Sequence, residues 1–394
     1  MLKNLTHGCY INYHKCRDMK IQFQTVKSNQ FNPVKQQNIV RYSGSVDYQG
    51  GDNGLAPKGL TLASFHNVSF GMNSDMRFLL SKTDKLRCAY SRREMISPFE
   101  IRTIYAKLAK RPNAQSAINF LTQYEGYMHE IEGCVFDLFK EVQHKGKRDF
   151  QDILTEYKPA ALERLKEKQR LILTSTDKHI ENLSEPVAEQ VRAIRDTAIY
   201  RIDNGKFGRK MLLTALKDIK ASEEDSKKID RIYRAWYGLP SSSKDIDAFI
   251  VQYAEQPHEA IAKRLLSSAV ATVEHVQPSS RGGDDDLSNF LLVSARFNND
   301  RDSMPLDEYI DLNRGIDIEK NLQKYINDVI DEINNKKSEF SHKSWYPEAI
   351  KKTLARETSR KVNLDINGLR LTKEQNRQNA SPQKLSKRYV VSYK

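Results

Sequence analysis

A carboxylate and an imidazole stand side by side at Glu274 and His275, and Asn289 and Asn298 follow fourteen and twenty-three residues after the histidine. Carboxylate and amide oxygens are ligands that suit a hard cation such as Mg²⁺ or Mn²⁺. Histidine titrates near neutral pH, so it can take a proton from water. Because phosphodiester hydrolysis needs a cation to stabilise phosphate charge and a base to activate water, these four residues indicate that chemistry.

A strand, a loop and a helix must bring these side chains together. The segment 269–276 is apolar and β-branched, which favours a short strand that ends at the Glu-His pair. Neighbouring residues of a strand point to opposite faces, so Glu274 and His275 would not compete for one position. The glycines at 282–283 predict a hairpin turn. A helix after the hairpin would return Asn298 to the first strand.

Three acids in a row, Asp284–Asp286, follow the two glycines. Acidic side chains in such a run commonly cap the next turn or remain solvated. We therefore predict a solvated loop here and no second metal site.

The stretch 274–283, taken with the two asparagines, resembles the active-site segment of HNH endonucleases, a family with a ββα-metal fold. The resemblance covers residues 274–305. It implies that His275 is the general base and that Asn289, the second residue assigned to catalysis, holds the loop against the histidine strand. It implies that Glu274 and Asn298 bind one divalent ion, Mg²⁺ or Mn²⁺. Further matching positions are Pro278, Ser280, Gly282, Gly283, Arg301 and Pro305.

The chain departs from the family pattern at two points. Glutamate stands at position 274, where aspartate is the more usual choice. Many family members also carry two C-x-x-C pairs that bind a structural zinc, but none occurs among Cys9, Cys16, Cys88 and Cys134. The corresponding positions are the segment 88–91 and the pair Ser294 and Phe297. We therefore expect no structural zinc and apolar packing in its place.

The origin of Cys88 has two readings. If the segment 88–91 is a remnant of the first zinc-binding pair, the helical region that follows is an insertion into the nuclease domain. Alternatively, Cys88 is an ordinary buried thiol. The sequence leaves both open.

The fold class predicted from the sequence is mainly α with small β elements (α+β), a ββα-metal motif combined with a large helical domain. Amphipathic helices are predicted over about 126–144 and about 317–337. The predicted regions are an irregular, β-containing segment 1–96, a helical domain 97–269, the ββα core with its following helix at 270–340, and a basic tail 351–394. The length of 394 residues permits two or three domains.

Charge is concentrated at the end of the chain. The net charge is +13, and residues 351–394 hold twelve Lys/Arg against three Asp/Glu, a net of +9. Such a density attracts a nucleic-acid backbone; a solvated tail that aids solubility is the alternative. The candidate nucleic-acid contacts are Arg281, Arg301, Lys384, Lys387 and Arg388.

No apolar run in the sequence approaches the length needed to cross a bilayer, and the first residues lack the apolar core of a secretory signal. With 29% charged residues and a mean hydropathy of −0.68, we expect a cytoplasmic protein with no membrane partner.

The sequence favours a metal-dependent HNH endonuclease acting on DNA, without excluding RNA, in which the helical domain positions substrate or a partner. The alternative is a non-catalytic nucleic-acid-binding or assembly protein with a degenerate motif. A third hypothesis is a nuclease subunit of an anti-phage or mobile-element system. In that case an ATPase would have to be a partner protein, because the chain has no G-x-x-x-x-G-K-[ST] phosphate loop.

Overall fold

The computed structural model describes residues 73–143, 148–335, 337–359 and 361–368. This part of the chain is mainly helical with one two-stranded sheet, which confirms the prediction of a mainly α protein with small β elements. It divides into two compact units. The first, called the hairpin unit, consists of the described residues within 73–162 and 241–368. The second, called the helical unit, consists of residues 163–240. Most of the predicted region 1–96 and most of the predicted tail lie outside the described residues.

Fifteen α-helices and two strands lie in the described residues. The helices are α1 (Ser74–Leu80), α2 (Glu100–Leu108), α3 (Ala114–Leu121), α4 (Glu130–Gln143), α5 (Phe150–Thr174), α6 (Asp177–Glu181), α7 (Glu185–Asp203), α8 (Arg209–Lys217), α9 (Glu223–Tyr237), α10 (Ile246–Tyr253), α11 (His258–Ser267), α12 (Ala295–Arg301), α13 (Leu306–Leu312), α14 (Ile318–Asn334) and α15 (Tyr346–Glu357). The strands are β1 (Ala271–His275) and β2 (Phe290–Ser294).

The hairpin predicted around the Glu-His pair is present. β1 and β2 pair antiparallel, from Ala271 opposite Ser294 to His275 opposite Phe290. All five residues of β2 are buried, as expected for an apolar strand covered on both faces. The loop-side end of the hairpin therefore carries His275, and α12 begins directly after β2.

The outer edge of β2 is closed by groups from distant parts of the chain. The backbone N–H of Ala89 donates to the Leu292 carbonyl at 2.9 Å, and the Tyr325 hydroxyl accepts from the Leu292 N–H at 3.4 Å. The Tyr346 hydroxyl donates to the Phe290 carbonyl at 2.8 Å. Because unpaired strand groups are costly to bury, these contacts let a two-stranded sheet sit inside the core.

Both amphipathic helices predicted from periodicity are present, with shifted ends. The first is α4, which begins only at Glu130 because Thr122–Tyr127 forms a 3₁₀ helix and Met128 is extended. The second is α14, whose N-cap Asp317 accepts from the Lys320 N–H at 3.1 Å. Packed residues also occur within the predicted tail 351–394, because Val362 and Leu364 are buried.

The predicted helical region 97–269 contributes to both units. Its parts before 162 and after 241 share one apolar core in the hairpin unit, with Phe136, Phe139 and Phe249 fully buried. The helical unit holds its own core, in which the buried Trp236 donates its indole N–H to the Thr176 hydroxyl at 3.1 Å. Among the residues described, none of the helices combines the length and apolarity that crossing a bilayer demands.

Candidate functional site

His275 lies at the last position of β1 and is partly exposed, with 21% of its side chain accessible. Its Nε2 lies 2.6 Å from Oδ1 of Asp285. The ring meets Phe290 edge to face, with centroids 4.8 Å apart. The imidazole is therefore held from two sides while part of it remains open to water.

Glu274 points to the opposite face of β1, as strand alternation requires. It is 3% exposed, and its Oε1 forms an ion pair with Nη1 of Arg301. Burial raises the pKa of Glu274 to about 7, although the Arg301 guanidinium beside it favours the ionised form. No described residue makes a hydrogen bond to Oε2 of Glu274, so one carboxylate oxygen is left for another partner.

Arg301, at the end of α12, is 1% exposed and serves as a brace. Its Nε donates to the Met304 carbonyl at 3.0 Å, Nη1 to the His275 carbonyl at 2.6 Å and Nη2 to the Val276 carbonyl at 2.5 Å. The expectation that Arg301 contacts a phosphate is not met, because its donors are engaged and solvent does not reach it. Instead it fixes the end of β1 and the orientation of Glu274.

Asn298 lies on α12 against the same face of β1 as Glu274. Its Nδ2 donates to the Thr272 hydroxyl at 3.1 Å and to the Val273 carbonyl at 3.3 Å. These bonds fix the amide so that Oδ1 points away from them, and no described residue donates to Oδ1. The structure thus brings Glu274 and Asn298 to one face of the strand, with His275 at its end on the other.

Asn289 holds the loop between the two strands. It is 3% exposed, and its Oδ1 accepts from the Gln277 N–H at 2.8 Å. Its Nδ2 donates to the carbonyls of Gln277 and Asp284, both at 3.0 Å. Position 283 has no room for a side chain, because a Cβ on Gly283 would lie 1.9 Å from the Gln277 carbonyl oxygen. Gly282 has a φ of +82°, a backbone conformation that favours glycine. The two glycines are therefore needed to wrap the backbone around Asn289.

Two oxygens on the α12 side of β1 could receive a cation: Oε2 of Glu274 and Oδ1 of Asn298. Within the described residues no cluster of three or more His, Cys, Asp or Glu side chains is arranged to hold a metal ion. Mg²⁺ nevertheless often takes only one or two protein carboxylates and keeps several waters. The donor set fits one such ion with solvent or phosphate as further ligands, and the neighbouring Arg301 charge should make that binding weak.

The segment that begins at Cys88 packs against the start of α12. The Cys88 sulfur is buried and accepts from the Ser294 N–H at 3.4 Å. The ring of Tyr90 meets Phe297 edge to face, with centroids 6.3 Å apart. Two of the positions that correspond to zinc ligands in the resemblance, Cys88 and Ser294, are thus in contact.

Sequence reasoning missed the role of Asp285, which it assigned to a solvated loop. Asp285 contacts His275, and its backbone is bound by Asn73, whose Nδ2 donates to the Asp285 carbonyl at 2.7 Å. These residues are 212 positions apart, so no local pattern reveals the contact. Among the predicted phosphate contacts, Arg281 is exposed. Lys384, Lys387 and Arg388 lie outside the described residues.

Comparisons with models of known protein families, with curated proteins and with solved structures gave no significant match. The chemistry of the site is therefore inferred from its own residues. They supply an accessible imidazole, two oxygens suited to a hard cation and a loop fixed by Asn289.

Proposed function

We propose that the protein is a metal-dependent endonuclease of the HNH type that hydrolyses phosphodiester bonds of DNA, with His275 as the general base. One observation carries the proposal. The hairpin and α12 place an accessible imidazole at the end of β1, directly after a buried carboxylate that retains one oxygen without a partner. This combination offers a base and a cation ligand within two consecutive residues.

Each residue has a separate part in the proposed reaction. A bound Mg²⁺ or Mn²⁺ would stabilise negative charge on the phosphate and the leaving oxygen. Glu274 and Asn298 would hold that ion through Oε2 and Oδ1. His275 takes a proton from the attacking water. Asn289 fixes the loop beside the imidazole, and Arg301 keeps the Glu274 carboxylate in place.

Two exposed cations lie beside the loop and could attract a polyanion. Arg281 lies on the loop surface. Arg356, near the end of α15, is 63% exposed and donates from Nη2 to the Gln277 side-chain oxygen at 3.0 Å. Together with the net charge of +13, they would draw a nucleic-acid backbone towards His275.

The direct test incubates purified full-length protein with plasmid DNA in Mg²⁺, in Mn²⁺ and in EDTA. Nicked or linear product is expected with either metal and not with EDTA. Single-stranded RNA is included in a parallel reaction to establish which nucleic acid is cut.

The matched variants are His275→Ala and His179→Ala. His179 is an exposed histidine of the helical unit. His275→Ala should abolish cleavage while its circular dichroism spectrum and DNA binding remain those of the parent, and His179→Ala should cut normally. Full cleavage by His275→Ala would rule out the proposed base.

A non-catalytic nucleic-acid-binding or assembly role is the second candidate, and the Glu274–Arg301 ion pair favours it because the guanidinium already neutralises the carboxylate. Removing residues 369–394 distinguishes the two. A binder that relies on charge loses its activity with this basic segment, whereas the nuclease keeps slow, metal-dependent cutting.

A third outcome concerns a partner protein. If the purified protein does not cut DNA and a co-expressed partner ATPase restores cutting, the protein is a nuclease subunit, as in an anti-phage or mobile-element system.

A further inference from the structure

The acidic loop beside His275 is fixed by contacts from distant segments. Asn73, the N-cap of α1, donates to the Asp285 carbonyl at 2.7 Å. Asp75 accepts from the Leu287 N–H at 3.2 Å. Lys343 in turn lies 3.3 Å from the Asp75 carboxylate. The backbone around Asp285 is therefore held at two points, the Asp285 carbonyl and the Leu287 N–H.

This anchoring explains how an exposed carboxylate can hold an imidazole. The Asp285 side chain is 68% exposed, yet its Oδ1 lies 2.6 Å from Nε2 of His275. Exposed pairs of this kind commonly contribute little because mobile side chains must be ordered. Here the backbone is ordered by Asn73 and Asp75, so less freedom remains to be lost when the pair forms.

The contact also determines which ring nitrogen of His275 carries a proton. An ionised carboxylate can only accept a hydrogen bond, so the proton of the neutral ring must lie on Nε2. The lone pair then lies on Nδ1, to which no described residue donates. Other charged groups near this pair include Asp75 and Lys343, which face each other, and Arg301, which donates to the His275 carbonyl. Glu274 precedes His275, and the exposed Asp284 and Asp286 flank Asp285.

We propose that Asp285 is a positioning residue. It holds the His275 ring in the Nε2–H tautomer so that Nδ1 receives the proton of the attacking water. The inference rests on the proposed function of His275 as base, and it adds the N-terminal end of α1 to the residues that build the site. Hydrogen bonds that orient metal-bound histidines are worth roughly 10- to 100-fold in affinity or activity, and we expect an effect of this size for the His275 base.

The first test compares Asp285→Asn with Asp284→Asn, a neighbouring exposed acid whose replacement changes the charge equally. An amide at 285 can donate to Nε2 and so favour the wrong tautomer. Asp285→Asn should lower kcat by roughly 10- to 100-fold while KM and the metal concentration for half-maximal activity stay unchanged. Asp285→Glu should recover part of the loss, and Asp284→Asn should match the parent.

The second test does not depend on cleavage. The ¹⁵N spectrum of full-length protein labelled at histidine, recorded where the ring is neutral, reports the tautomer, and His275→Gln identifies the signal. The Nε2–H form is expected in the parent and in Asp284→Asn, and its loss in Asp285→Asn. A parent that shows this tautomer but never cuts DNA refutes the nuclease function and leaves the contact intact.

Three results would overturn the proposal. One is equal kcat in Asp285→Asn and Asp284→Asn when the parent cuts. Another is an unchanged tautomer in Asp285→Asn. The third is a higher metal requirement in Asp285→Asn, which would make Asp285 a metal ligand rather than a positioning residue.

Discussion

The hairpin unit contains two buried glutamate–arginine pairs that differ in the number of donors to the paired carboxylate oxygen. Oε2 of Glu132, like that of Glu274, has no hydrogen-bond partner among the described residues. Glu132 is 0% exposed, and its Oε1 accepts from Nη1 of Arg264 and from the Ser268 hydroxyl, the latter at 2.5 Å. Glu274 is 3% exposed and is paired with Arg301 alone. The first pair joins α4 to α11, and the second lies in the candidate site.

The difference appears in the charge state of each acid. Burial opposes ionisation of Glu132, but the Arg264 guanidinium and the Ser268 hydroxyl hold its pKa below the ordinary value. Burial raises the pKa of Glu274 to about 7 despite Arg301. A carboxylate that stays ionised when buried is a stable structural link, whereas a carboxyl whose pKa is shifted towards neutral pH is of the kind found at functional sites.

Replacing Glu132 should give the largest effect on stability. Glu132→Gln leaves the Arg264 guanidinium buried without its counter-charge, which costs about 3–5 kcal/mol. Urea denaturation measures the free energy of unfolding. The control is Glu223→Gln, in an exposed pair with Lys227, where a change below about 0.5 kcal/mol is expected. Equal stability of the two variants would contradict the structural role of Glu132.

Replacing Glu274 should affect activity more than folding. Glu274→Gln removes the proposed cation ligand and should lower metal-dependent cleavage by at least about 100-fold. It should destabilise less than Glu132→Gln, because a carboxyl with a pKa of about 7 is already partly neutral at pH 7. Cleavage and urea denaturation are measured on both variants. If Glu274→Gln cuts DNA at the parental rate, Glu274 is not a ligand.

The second donor to Glu132 can be removed separately. Ser268→Ala should cost about 1.5–3 kcal/mol, because it deletes a hydrogen bond to a charged group. The neighbouring Ser267 donates to the Arg264 carbonyl at 3.1 Å, a neutral bond worth about 0.5–1.5 kcal/mol. Thermal or urea unfolding of both variants should therefore rank Ser268→Ala as the more damaging, and the reverse order would be evidence against this account of Glu132.

His129 makes the surroundings of Glu132 sensitive to acid. Burial, with help from nearby arginines, lowers the pKa of His129 to about 3, whereas an unfolded histidine titrates near 6.5. Stability from the neutral, buried ring is thus fully present above pH 6.5 and is lost as pH falls towards 3. Between pH 7 and pH 5 the loss is about 2 kcal/mol.

The variant that tests this is His129→Gln, with His179→Gln as the exposed control. Unfolding free energies at pH 7 and pH 5 should differ less in His129→Gln than in the parent, while His179→Gln should behave like the parent. An unchanged pH dependence in His129→Gln would show that other groups cause the acid sensitivity.

The hairpin and its helix could be predicted from the sequence because their determinants are local. The positive φ of Gly282, the close approach at Gly283 and the bonds of Asn289 all lie within one loop. Their spacing fixes the path of the backbone between the strands. Helices α4 and α14 could also be predicted from the sequence, because their apolar residues recur at helical intervals.

Side-chain direction at the site could not be read from the sequence. Arg281 and Arg301 are both cations close to the Glu-His pair, yet the first is exposed and the second is enclosed by carbonyls. Likewise, Asp285 looks like any solvated acid until Asn73 anchors its backbone. In each case the deciding partner is set by tertiary packing, which local spacing does not encode.

The tyrosines that close the edge of β2 also bear on when the hairpin can form during synthesis. Tyr325 bonds to Leu292, 33 residues earlier, and Tyr346 bonds to Phe290, 56 residues earlier. A growing chain that has just emerged with its Glu-His pair therefore has an open strand edge and an incomplete core. On the ribosome, therefore, the edge of β2 can be closed only after α15 has been synthesised.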